Sequence, residues 1–525
     1  MKKILSILVA VVSMVQLSAQ GFNWSSPPTA ISTAAVDASD PDVVIDASGN
    51  TTAIWIESST VRTSTLPSGG SWSAPSSLSG TGGTNPCIGI DSAGNVTAAW
   101  LEGGNVKTAN MPSGGSWGSA SNISDTGATD PALYVDGAGN AVAVWVRNGY
   151  IETATQQVGN SWGSVSMLSA ASSDNPAIAI GEEGTIVAIW HTVVTGQDRV
   201  YASVGGIGQA WNTPLVVAPL TAIGAAYSFN YPSVAVDDNG NAAAVYFLYV
   251  NVGDAYTNVY TMGSSLISGA SAWSQPSFLS AEGFRNPADL MNTIAFDGNG
   301  NALALWTSSS DGQSFNIESA QFTAAGTWTP SSALVLQSLY AYQGDISVNP
   351  SGDASSIYMF SDSGNTIIQS SDTSIASNVS GFWSIPINVS LGSQNGFPRI
   401  ATMLVSGVIS GATVWVYNDG SNNRIAASIG TRNVVAPPTD VGIVQDSSDQ
   451  GVFVEYFNTI SWTESTDPNL VAYNIFRNGF YWTQVAAGTT TVIDHNAVQD
   501  GSVTYGVAAV NSSQEQSSIV SASFP

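Results

Sequence analysis

The sequence predicts an all-β protein, on three observations. Charged residues make up only 9% of the 525-residue chain, while Gly (52), Pro (22) and aromatic residues are abundant, a composition poor in helix formers and rich in turn and strand formers. A fifteen-residue pattern running from a proline to a tryptophan recurs along the chain at regular spacing. Between its copies lies a second pattern with its own tryptophan. Together they exclude a helical bundle, a coiled coil and a helical solenoid.

The first pattern, Pro41 to Trp55 (PDVVIDASGNTTAIW), returns as Pro86 to Trp100, Pro131 to Trp145 and Pro176 to Trp190. Its closing aromatic then recurs at Tyr246, Trp306, Tyr358 and Trp415, so that successive spacings are 45, 45, 45, 56, 60, 52 and 57 residues. The second pattern places Trp24, Trp72, Trp117, Trp162, Trp211, Trp273, Trp328 and Trp383 before a Ser- and Pro-rich segment. Only Trp462 and Trp482 fall outside both patterns, so the tryptophans are expected to serve packing.

Each repeat reads as four short strands, as in 42–45, 51–56, 60–66 and 71–78, joined by turn residues. Four strands per 45 to 60 residues is the period of a propeller blade, and residues 22–431 are expected to form an eight-bladed β-propeller. The chain opens with a lone second pattern, Asn23 to Ser32, and the last repeat lacks one. The N-terminal segment should therefore complete the final blade and remove its free edge.

The turns Asp46 to Asn50, Asp91 to Asn95, Asp136 to Asn140, Asp237 to Asn241 and Asp297 to Asn301 fit tight turns in which Asp accepts backbone N–H bonds and Gly takes positive φ. Asp297, Asn299 and Asn301 also have the one, three, five spacing of calcium ligands, but no acidic residue follows at the late ligand position. No cofactor is expected. A structural zinc site lacks ligands, since the chain has one Cys and two His.

The repeats resemble those of sialidase-like, Asp-box (BNR) propellers. The segments 64–72 (STLPSGGSW) and 110–117 (NMPSGGSW) are similar to the Asp-box turn, with Pro or Ser in place of its Asp. The resemblance implies propeller architecture, and for a catalytic member it would imply an Arg triad, a Tyr–Glu nucleophile pair and an Asp acid. Arg147, Arg285 and Arg399 are the Arg residues placed for the triad, with Tyr340 or Tyr342 opposite them, and no Tyr–Glu pair is identifiable.

After a linker at 432–438, residues 439–525 change pattern. Trp462, Asp467-Pro468, Tyr473 to Arg477 and Thr504 to Asn511 closely resemble a fibronectin type III domain, which implies a spacer or interaction module. At the other end, Lys2 and Lys3, the apolar run 4–17 and Ser18-Ala19 have the order of a secretory signal peptide over residues 1–19. That places the protein outside the cell or at its surface, with the periplasm as an alternative, and no later segment is apolar enough to span a membrane.

The chain carries 37 acidic and 11 basic residues, a formal net charge of −26, which excludes nucleic acid as a partner. Candidate ligand-binding residues lie where chains should enter and leave one face of the propeller. Asp40, Asn85, Asp130, Asn175 and Asn230 precede the first strand of a repeat, and Glu57, Glu102, Arg147 and His191 follow the second. As a ring they would gather acceptors suited to sugar hydroxyls, a cation or a basic peptide. With no assembled Ser–His–Asp or assigned acid–base pair, the sequence leads to a non-enzymatic protein binding a glycan or an extracellular protein. The alternatives are a sialidase-like glycoside hydrolase or a purely structural surface protein.

Overall fold

The computed structural model describes residues 22–524 apart from 195–196, 218–226, 252–256, 281–282, 285–290, 310–314, 330, 334–340, 363–364, 375–382, 385, 391–394, 406–407, 434, 450–453, 479, 496–502, 513–515 and 518. The leader, Arg285 and Tyr340 lie outside the described residues. Among those residues every regular element is a strand, and no helix is long and apolar enough to cross a membrane.

The repeats fold into eight antiparallel sheets of four or five strands each. The first is representative, with strands Ala38–Ile45, Thr51–Glu57, Thr60–Leu66 and Ser76–Ser77 paired in chain order. The second strand is buried along its whole length because both of its faces are covered by neighbouring sheets, and its sequence accordingly is almost continuously apolar. The outermost strand shrinks to two residues, shorter than the stretch 71–78 suggests. Pro75 precedes it and cannot donate to a ladder, and a short outer strand leaves little edge for another chain to pair with.

The first strands of the eight sheets are neighbours in a closed circuit. Ala38–Ile45 contacts Gly83–Ile90, followed in order by Ala128–Val135, Ser173–Ile180, Tyr227–Val236, Asn292–Phe296, Ala341–Val348 and Asn395–Val405, which contacts Ala38–Ile45 again. The fold is thus a propeller-like array whose first strands form the inner ring. At the joint, Asn23–Trp24 and Thr29–Ala30 from the N-terminus pair with Asn423–Asn433 of the last sheet. Ser32 then accepts from Arg424 Nη2 at 2.7 Å through its carbonyl, and its hydroxyl takes the Ile425 N–H at 3.0 Å.

Between successive sheets lie apolar cores built from the repeated aromatics. Trp55, Trp100, Trp145, Trp190, Tyr246, Trp306, Tyr358 and Trp415 are fully buried. The second set packs against the same clusters from the third-to-fourth-strand side, as Trp72, Trp117, Trp162, Trp211, Trp273, Trp328, Trp383 and Trp24 all do.

The Asp turns are structural staples. Asp91 accepts the Ala93 and Asn95 N–H groups on Oδ1 and Asn95 Nδ2 on Oδ2, and Asn95 Oδ1 takes the Ser113 N–H of the next hairpin turn at 3.1 Å. The same set recurs at Asp46, and at Asp297, where Asn299 N, Asn301 N and Asn301 Nδ2 occupy the carboxylate and Asn301 Oδ1 receives Ala324 N. The one, three, five spacing thus serves hydrogen bonds within the turn.

Residues 439–524 form two further sheets, Thr439–Asp449, Val454–Thr463 and Thr491–Asp494 in one, and Phe480–Ala486, Leu470–Arg477, Val503–Asn511 and Val520–Phe524 in the other. They share a core of Ile460, Trp462, Tyr473, Ile475, Tyr505 and Val507. Tyr505 Oη bonds Asp494, burial pushes its phenol up to about 12, and Arg477 Nε pairs with the same carboxylate at 3.1 Å. His495, exposed, holds Glu455 at 2.9 Å.

Candidate active site

Among the described residues seven of the eight inner strands carry a β-bulge near their start, where the register shifts by one residue, as between Ser39 and Asp42, while Asn292–Phe296 pairs in unbroken register. The residue that opens the bulge takes positive φ, at 51° for Asp40, 49° for Asn85 and Asp130, and 48° for Asn175. Asn and Asp tolerate this conformation better than other side-chain-bearing residues, and the Pro that follows each of them has a fixed φ and no N–H to leave unpaired. In the fifth sheet Tyr231 opens the bulge (φ 51°) and Asn230 stands beside it, accepting from Asn175 Nδ2 at 2.8 Å and from the Tyr231 N–H at 2.8 Å. Asp40, Asn85 and Asp130 are exposed, whereas Asn175 and Asn230 are half-buried.

Glu57, Glu102, Arg147 and His191 lie at the same end of the sheets. Ala38 faces Glu57 across the ladder, Gly83 faces Glu102, Ala128 faces Arg147, and Asp174 faces His191. Their side chains are engaged inside the sheets. Glu57, only 2% exposed, accepts Trp55 Nε1 at 3.3 Å and the Thr33 N–H at 2.9 Å, and pairs with Arg62 at 3.3 Å. Burial alone would raise its carboxyl; the bonds from Thr33 and Trp55 and the Arg62 charge outweigh it and lower the pKa. Glu102 repeats the arrangement with Trp100 Nε1 at 3.1 Å and Lys107 at 3.0 Å, and its pKa falls for the same reasons. In the third sheet the charges exchange places: Arg147 grips Glu152 with two bonds, at 2.8 and 2.6 Å, and Glu152 takes Trp145 Nε1 at 3.0 Å. His191 lies between Asp174 at 2.6 Å and Asp198 at 2.8 Å; burial pulls its pKa down, but the two carboxylates prevail and raise it.

Chemistry of another kind gathers one step further along the inner strands. The residues opposite the one before the second-strand aromatic are, sheet by sheet, Asp42, Cys87, Ala132, Ala177, Ser233, Thr293, Asp345 and Arg399. Five of the eight are small or neutral, and the three charged ones sit on consecutive sheets around the ring. Desolvation pushes Asp42 up to about 6, opposed by the Arg399 charge and reinforced by Asp345. Asp345 is raised by the same burial, again opposed by Arg399.

Backbone donors fix the orientation of both carboxyls. Asp42 accepts from Val43 N at 2.9 Å and from Ile88 N of the next sheet at 3.1 Å, and Asp345 from Ile400 N of its next sheet at 3.1 Å. Arg399 donates to the Pro398 carbonyl at 3.1 Å, and among the described residues it closes no ion pair. The result is a guanidinium flanked by two carboxyls, one of them able to hold a proton near neutral pH, an arrangement competent for acid–base work. Cys87 lies beside it, its thiol pushed up by burial and the Asp42 charge, and is an inert thiol rather than a nucleophile.

Sequence reasoning placed Arg399 near this face but did not single out Asp42 or Asp345. The available signal was their shared position after the bulge once the repeats are aligned, where the other sheets carry small residues.

No family model and no curated protein matches the chain. Among solved structures it is similar to a polysaccharide lyase, an ulvan lyase bound to a glucuronate–sulfated rhamnose disaccharide unit (TM-score 0.46, 10% identity, 76% of this chain and 96% of that one). A second polysaccharide lyase (0.39, 9%, 65% and 88%) and a Penicillium chrysogenum α-L-arabinanase complexed with arabinobiose (0.36, 12%, 67% and 93%) are also similar. These structures share an all-β, propeller-like fold with the chain. The expectation of a non-enzymatic binding protein stands against these three similar chains, which are themselves glycan-acting enzymes.

Proposed function

We propose that the chain is a secreted carbohydrate-active enzyme that cleaves glycosidic bonds at the mouth of an eight-bladed propeller, with a fibronectin type III domain as its C-terminal appendage. The observation that carries the reading is the triad of Asp42, Asp345 and Arg399 on consecutive inner strands, with Asp42 held near pH 6. The blade count draws support from the eight sheets and the closed circuit of inner strands, the appendage from the Trp462, Tyr473 and Tyr505 core, and secretion from the pattern of residues 1–19.

In this reading Asp42 is the general acid. Its proton passes to the glycosidic oxygen as the bond to the anomeric carbon breaks, while Asp345, ionised, takes a proton from the water that adds to that carbon. Two carboxyls near one another resist double ionisation, which keeps the proton on one of them. Arg399 opposes the burial that raises the second carboxyl and offers its guanidinium to an anionic sugar substituent.

The test is turnover of a polysaccharide panel, read as new reducing ends, by the wild type and by Asp42→Asn and Asp345→Asn. Each substitution should lower kcat by about a hundredfold or more with the fold retained, and the wild-type rate should fall as pH rises through about 6, where Asp42 loses its proton. Turnover unaffected by Asp42→Asn would remove the proposed acid.

A further inference from the structure

The ring of bulge-opening residues is not uniform. Asp40, Asn85, Asp130, Asn175 and Gln343 are polar, but Tyr231 (φ 51°) and Phe397 (φ 50°) are aromatic. A bulky side chain at positive φ costs on the order of 1 kcal/mol, and Asn or Gly would remove that cost. Both rings are also left in solvent, Tyr231 37% and Phe397 51% exposed, so neither recovers the cost by burial. Among the described residues neither stacks on another aromatic side chain.

The backbone beneath each ring is nevertheless pinned from neighbouring sheets. The Tyr231 carbonyl accepts Asn292 Nδ2 at 2.8 Å, its N–H goes to Asn230 Oδ1, and that amide is held in turn by Asn175. The Phe397 N–H donates to Gln343 Oε1 at 3.1 Å. The fold therefore fixes two strained, exposed aromatic rings among the bulge-opening residues of the inner strands, three sheets apart, and Phe397 stands two residues before Arg399. Strain and apolar exposure kept together at one rim mark a contact surface.

We infer that Tyr231 and Phe397 are stacking platforms for sugar rings of a polysaccharide chain lying across the mouth. An aromatic face meets the apolar C–H face of a pyranose or furanose ring, while the Asn and Asp side chains of the same rim accept from its hydroxyls. This rests on the glycan reading of the triad and adds to it how a polymer is held.

The experiment uses the full-length protein and the variants Tyr231→Asn and Phe397→Asn, with electrophoresis through gels carrying laminarin, alginate or carrageenan to read retention. Reducing-end release from the same polymers is measured separately. Each variant should weaken retention of a bound polymer about tenfold and raise KM while leaving kcat within about twofold. Unfolding midpoints should be equal or higher, because Asn relieves the positive-φ strain. Cleavage whose KM and retention ignore both substitutions overturns the inference and leaves the proposed function standing. Retention that depends on the rings without any cleavage supports the inference and overturns the enzyme. Wild-type protein that neither retains nor cuts any of the three polymers refutes both.

Discussion

The joint between the N-terminus and the last sheet gives a sharp prediction. Trp24 is 8% exposed, stacks on Phe22 at 4.8 Å, packs against Gly430 and donates its indole N–H to Ser370 Oγ of the preceding sheet at 2.8 Å. Trp24→Ala removes that buried volume in a core shared with Ile357, Met359, Ile368 and Trp415, and leaves the buried Ser370 hydroxyl short of one partner. Large-to-small changes of this kind cost about 3–5 kcal/mol. Trp24→Phe keeps most of the apolar contact and loses the hydrogen bond, a cost of about 1–2 kcal/mol. Urea unfolding followed by far-UV circular dichroism measures both. Limited proteolysis should show the Asn423–Asn433 strand becoming cleavable in the Ala variant, since Asn23–Trp24 and Thr29–Ala30 cover its edge. A Trp24→Ala protein within 1 kcal/mol of wild type (roughly a fivefold change in the unfolding equilibrium), with that strand still protected, would refute the sealing role.

Asp42 has an ordinary carboxyl value when unfolded and a raised one, about 6, when folded, so the folded state holds its proton longer and this contribution favours folding at low pH and is lost as pH rises through 6. Asp42→Asn should therefore raise the unfolding midpoint at pH 7.5 and change it little at pH 4. His191 behaves in the opposite chemical sense with the same pH direction: its raised pKa stabilises the fold below 6.5 and the gain disappears as pH rises through the folded value. His191→Gln should then destabilise at pH 6 and much less at pH 9, measured by the same unfolding curves. Gly94, at φ +84°, would place a Cβ 2.8 Å from Ser113 Oγ and 2.9 Å from Asp46 Oδ2, so Gly94→Ala should cost at least about 1 kcal/mol through backbone strain.

The propeller-like organisation was legible because each repeat spends its most distinctive residues on packing. Trp55 and its equivalents mark a strand buried on both faces, and the Asp-Gly-Asn turns mark the staple that joins two hairpins. The candidate site was less legible for a physical reason. Glu57, Glu102 and Arg147 stand at the rim in sequence, but each is turned inward by a partner from its own sheet, a Trp indole or an opposite charge five residues on. No local pattern announces that pairing, and the exchange of charge between Glu102–Lys107 and Arg147–Glu152 hides it further. Asp42 comes from the first sheet and Asp345 and Arg399 from the last two, and only closure of the ring brings the first and last sheets together. The positive φ shared by Asp40, Tyr231 and Phe397 likewise becomes visible only in the backbone, since the Pro that follows each of them does not by itself place the preceding residue in the left-handed region.

The most direct measurement is the release of new reducing ends from laminarin, alginate and carrageenan by the purified protein, with the Asp42→Asn variant beside it. Turnover of at least one polymer is expected, declining above about pH 6 and about a hundredfold or more slower in the variant. Release that continues undiminished in Asp42→Asn, or no release from any of the three by a folded wild-type protein, would contradict it.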